Sequence, residues 1–152
     1  MIVRVLSAVA TCLAFATSPQ AAEWREVTSC GALKGRAYYF AGGAVPVGQA
    51  GWQDDGISEG TTSPLSNGKE VDIVYKDATG NQRSARFHDG ATLLAFPGRS
   101  TLRVLVVQQG GKSLEQYTFQ LDDRGKGGVI LSQQRDAMIS KVTVMMGKCR
   151  QG

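Results

Sequence analysis

Alternation of apolar and polar residues with a period of two runs through most of the chain. Runs rich in Val, Ile, Leu, Tyr and Phe, separated by Gly, Asn and Asp, fall at 36–40, 57–65, 70–76, 82–88, 92–96, 101–108, 114–121, 128–134 and 141–148. Short runs of this composition between turn residues predict antiparallel β-strands. No window carries an apolar stripe at helical spacing, and only 136–140 has room for a helical turn. Pro64 lacks a backbone donor, so its strand is expected to lie at an edge or to break there. Pro97-Gly98 marks a turn.

Two hairpins set their own register. In KEVDIVYKDATGNQRSARFH, a loop of Ala78-Thr79-Gly80 puts Gly80 where a left-handed residue is needed. Val71 then faces Phe87 and Ile73 faces Ala85 on one side, while Asp72 faces Arg86 and Glu70 faces His88 on the solvent side. A slip of one residue would mix charged and apolar positions on both faces. In TLRVLVVQQGGKSLEQYTFQL, a turn at Gly110-Gly111 aligns Leu102 with Phe119 and Val104 with Tyr117, a second apolar side. Eight or nine such strands with local turns predict a single all-β domain, an antiparallel barrel in preference to a two-sheet sandwich.

The first 22 residues, MIVRVLSAVATCLAFATSPQAA, depart from this pattern. One charge, Arg4, precedes an apolar run over 5–16, and small residues surround a cut after Ala22. A positive start, a short apolar middle and a small-residue end predict a signal peptide, hence a periplasmic or extracellular protein. The run is too short to span a bilayer, and no later one approaches such a length. Cleavage removes Cys12 and Arg4, leaving residues 23–152 with 16 Lys and Arg against 13 Asp and Glu, a net charge of +3. The basic residues are scattered, so no polyanionic partner is called for. Cys30 and Cys149 remain, and in an exported chain they predict one disulfide closing almost the whole domain.

The chemistry on offer is narrow. One His and two paired Cys exclude the usual zinc sites; GISEG at 56–60 fits the letters GxSxG but runs into a predicted strand with no helix after it, so no nucleophile context supports a triad, and no GxxxxGK[ST] or RNP-like pattern occurs. No cofactor, metal or nucleic-acid partner is implied, and a monomer is expected. LDDRGKGG at 121–128 reads as a hairpin turn, because Arg124 and Lys126 would bring positive charge into any cation loop.

GWQDDGISEG at 51–60 holds Trp52, Asp54 and Asp55. Asp54 and Asp55 are adjacent, so on an extended chain they point apart and make a poor metal or catalytic pair. Residues 53–56 suit a type I turn instead. The preceding loop is long and glycine-rich, and with Trp52 it makes 41–56 the expected binding loop. Glu70, Arg86 and His88 form the one catalytic alternative: a carboxylate base, a phosphate-steadying guanidinium and an acid, as in RNA cleavage. Cross-strand charge pairing explains the same residues without a substrate.

The expectation is therefore an exported β-domain that binds a protein or small ligand and is not catalytic. An inhibitor or immunity-type role and a small RNase-like hydrolase are the alternatives. A ligand carrier of this kind requires an interior cavity of roughly 300 Å3 or more.

Overall fold

Ten strands and no α-helix make up residues 22–76 and 79–150, the part of the chain that the computed structural model describes. The predicted leader up to Ala21 and the loop residue Ala78 lie outside the described residues. The strands are β1 (Arg25–Glu26), β2 (Ser29–Tyr39), β3 (Gly51–Ser66), β4 (Val71–Lys76), β5 (Gln82–Ser84), β6 (Thr92–Pro97), β7 (Thr101–Val107), β8 (Ser113–Leu121), β9 (Gly127–Arg135) and β10 (Lys141–Arg150). All nine predicted strands are present; β1 is too short to announce itself by alternation. Residues 136–140 form bends and not a helical turn, and no helix is long and apolar enough to cross a membrane among the described residues.

Hydrogen-bonded neighbours run in the order β5-β4-β3-β2-β10-β9-β8-β7-β6, antiparallel throughout, with β1 beside β3. This is one continuous sheet, curled into a half-barrel, and not a two-sheet sandwich. It consists of two meanders, β1–β5 and β6–β10, joined by the β2–β10 ladder. Cys30 and Cys149 stand directly opposite each other in that ladder and are bridged, with S–S 2.00 Å and Cα atoms 4.0 Å apart. On the far side β5 and β6 do not pair, and residues 85–91 cross the gap.

Gly35 in β2 marks a close approach of β10. A Cβ there would lie 1.9 Å from the Val144 carbonyl oxygen and 2.6 Å from the Met145 Cα, so only glycine lets β10 come this near. Alternation then sorts the residues between the two faces. Along β8, Ser113, Glu115, Tyr117 and Phe119 point inward and are buried, while Leu114, Gln116 and Gln120 face water. The predicted pairs Leu102–Phe119 and Val104–Tyr117 are both present. Phe119 is fully buried beside Val104, Val129 and Ile73, and its ring stacks on Tyr117 at 6.1 Å.

Three expectations need correction. The first hairpin keeps the predicted offset, pairing Tyr75 with Arg83, and Gly80 is left-handed (φ 86°), but β5 stops at Ser84. Asp72, expected on the solvent side, is 1% exposed. Its carboxylate accepts from the Ser84 hydroxyl (2.5 Å), the Arg86 N–H (3.1 Å) and the Ile73 N–H (2.8 Å). Ala85 still donates its N–H to the Ile73 carbonyl (2.8 Å), but those bonds, with the Phe87 N–H on Ser84 Oγ (2.8 Å), turn 86–89 away from the ladder, as short polar side chains do when they compete for backbone groups. Phe87 consequently faces outward and packs edge-on against Trp24, ring centroids 6.0 Å apart.

Residues 53–56 are strand, not a turn. Asp54 lies opposite Arg36 and Asp55 opposite Gly35, so pairing with β2 overrides the local turn preference. Nor does Pro64 break β3. Its carbonyl accepts from the Val27 N–H (2.9 Å), so its donor-less nitrogen points to the side where only the stub β1 lies.

Candidate functional site

One end of the half-barrel is an open cup of about 640 Å3. Register builds its wall in levels, because paired residues two apart along antiparallel strands share a face. Ser113 stands opposite Arg135 at the rim, Glu115 opposite Gln133 below it, and Tyr117 opposite Leu131 below that. Leu33 and Ile57 supply further apolar wall, while Tyr75, Arg83, His88 and Asp89 close the side next to the gap. The cup thus runs from a charged rim through a polar belt to an apolar base.

Glu115 is 8% exposed and makes no ion pair among the described residues. Its Oε1 accepts from the Ser113 hydroxyl (3.0 Å) and Gln133 Nε2 (2.8 Å), and its Oε2 from the Tyr117 hydroxyl (2.7 Å). A buried carboxylate costs free energy unless such donors compensate it, and here all three are neutral. Asp89 is held by the Tyr75 hydroxyl at 2.5 Å and by Arg83, whose Nε lies at 3.1 Å and whose Nη2 also contacts it. Both carboxylates of the cup are therefore engaged. Lys76, Lys112 and Arg135 line the same cup and make no ion pair among the described residues.

Two phenols carry the imprint of this environment. Burial, then the bond to Asp89, pushes the Tyr75 hydroxyl up to about 12. Burial, then the negative charge of Glu115, holds Tyr117 well above 10. A pKa raised on folding means the folded state keeps a proton that the unfolded state has lost. Stability supplied by Tyr75 is complete below pH 10 and drains away as pH rises to about 12, and Tyr117 contributes in the same direction. Urea melts between pH 9 and 12.5 should show a midpoint falling above pH 10, with a shallower fall in Tyr75→Phe; equal slopes would refute the assignment.

The sequence-predicted residues scatter. Asp54 is exposed on the outer face, 3.7 Å from Arg36 Nε. Asp55 points inward to Lys141 Nζ at 2.5 Å, which leaves neither acid free. Trp52 is 57% exposed on the outer face, its ring 5.6 Å edge-on from Tyr38 and 5.8 Å from the Arg36 guanidinium. The chain over 41–50 is loop, but Trp52 belongs to β3 and not to that loop. Nor are Glu70 and His88 brought together. Glu70 pairs with Arg86 at 3.4 Å and lines a second cavity of about 500 Å3 at the opposite strand ends, near Arg99 and Asp122. His88 lines the cup, and its Nδ1 accepts the Ser84 N–H at 3.0 Å. No group of three His, Cys, Asp or Glu is placed to hold a metal among the described residues.

The Glu115 belt was not singled out from the sequence, although its signal was there. The register that aligns Val104 with Tyr117 also puts Glu115 opposite Val106, an acid on the inward face. No protein-family model, curated protein or solved structure matches the chain.

Proposed function

We propose that this is an exported binding protein that takes a small organic molecule into the open end of its half-barrel. The observation that carries the reading is the cup. Its volume of about 640 Å3 falls within the roughly 300–1,000 Å3 typical of small-ligand sites. It also joins an apolar base to a few fixed polar groups, the combination that gives such sites affinity and orientation together.

A second reading, docking of a protein on the outer face, rests on exposed Trp52, Phe40 and Met146. Trp52 there already packs against Tyr38 and Arg36, and the cavity beside Met146, about 520 Å3, is smaller than the cup, so this surface ranks behind it.

A thermal-shift screen of several hundred organic metabolites against the full chain separates the two. Binding at a hundredfold excess over Kd stabilises the fold by about 2.7 kcal/mol, a rise of about 10 °C for a chain of this size. The shift should vanish in Ile57→Trp, which fills the cup, and persist in Trp52→Ala. A shift lost in Trp52→Ala alone would move the site to the outer face, and no shift across the library would end the cup reading.

A further inference from the structure

We propose that the ligand is an organic anion, with its acid group at the rim among Lys76, Lys112 and Arg135 and its apolar body against Ile57, Leu131 and Tyr117. This rests on the cup being a ligand site. Four cationic side chains line it, Lys76, Arg83, Lys112 and Arg135, against two carboxylates, Asp89 and Glu115. Arg83 is spent on Asp89, and Glu115 is satisfied by neutral donors. Three positive charges are therefore left without protein partners around one opening, among the described residues.

Low-dielectric walls focus such a field and raise the local concentration of anions, whereas a cation would meet like charge at the mouth. Arg135 adds a planar fork suited to two acid oxygens.

Glu115 then fixes the ligand's direction. It lies two residues below the Ser113–Arg135 level, about 7 Å deeper along the strand, and is itself negative. An acid group driven that deep would be repelled, so the acid stays at the rim and the apolar end goes down. A carboxylate offers about four acceptor sites, and Glu115 uses three. A hydroxyl or N–H on the ligand, about 7 Å from its acid group, takes the fourth. The class is thus an amphipathic carboxylate, sulfonate or phosphate with a donor in mid-molecule.

Two dyes with the same rings test the charge. One is 1-anilinonaphthalene-8-sulfonate and the other its uncharged parent, N-phenyl-1-naphthylamine, each titrated by fluorescence against the full chain at low and high salt. The sulfonate is expected to bind at least tenfold more tightly at low salt. The Lys112→Ala/Arg135→Ala variant, changed only at the rim, should erase that advantage while leaving the neutral dye within twofold. High salt should act in the same direction.

Equal affinity for both dyes, lost in Ile57→Trp, overturns the anion inference and leaves the cup as a site. Binding unaffected by Ile57→Trp, or no binding of either dye, overturns both.

Discussion

Replacing Cys30 and Cys149 together by serine is expected to lower the melting temperature by about 15–18 °C. The bridge closes a loop of 119 residues. Treated as a restriction on the unfolded chain, a loop of that size stabilises the folded state by about 4–5 kcal/mol. The bonded sulfurs are also part of the core, with Cys30 fully buried and Cys149 nearly so, so buried hydroxyls would add to the loss. Reducing the wild-type protein separates the two contributions, since it breaks the loop without adding hydroxyls. Calorimetry with and without reductant, alongside the double variant, checks the expectation. A reduced protein melting within about 3 °C of the oxidised one would mean that the ladder alone holds the meanders together.

Phe119→Ala is expected to cost about 3–5 kcal/mol, the usual range when a buried aromatic ring is deleted and the cavity only partly collapses. The ring is fully buried, stacks on Tyr117, and lies on the face where both meanders contribute core residues, Ile73 from one and Val104 and Val129 from the other. Its exposed neighbour in sequence supplies the control: Gln120→Ala should change stability by no more than about 0.5 kcal/mol. Urea unfolding of both variants is the measurement. Similar midpoints for the two would contradict the inward–outward sorting on which the whole fold rests.

The contrast between those neighbours shows where the fold was legible in the sequence. Hairpin β7–β8 was readable in register because Leu102, Val104, Tyr117 and Phe119 fall on one face and two glycines mark the turn. The first hairpin was readable in register but not in extent. Alternation assigned Asp72 to solvent, whereas Ser84 and Arg86 recruit it into a buried knot that ends β5. Turn-forming composition at 53–56 gave way to pairing with β2, a contact whose partner lies some twenty residues back. The cup was harder still, since its polar belt joins Glu115 to Gln133 on the next strand and its side next to the gap is closed by His88 and Asp89 from beyond the end of β5. Single residues with conspicuous chemistry, Trp52 and His88, drew attention that the less conspicuous inward Glu115 deserved.

The two meanders touch covalently at only two places: the sulfur bridge and the segment 85–91 across the gap. A protease that cleaved that segment would leave a two-chain molecule, β1–β5 tethered to β6–β10 through Cys30 and Cys149. It would migrate as one species until reduced, and each half could then be exchanged for a labelled copy.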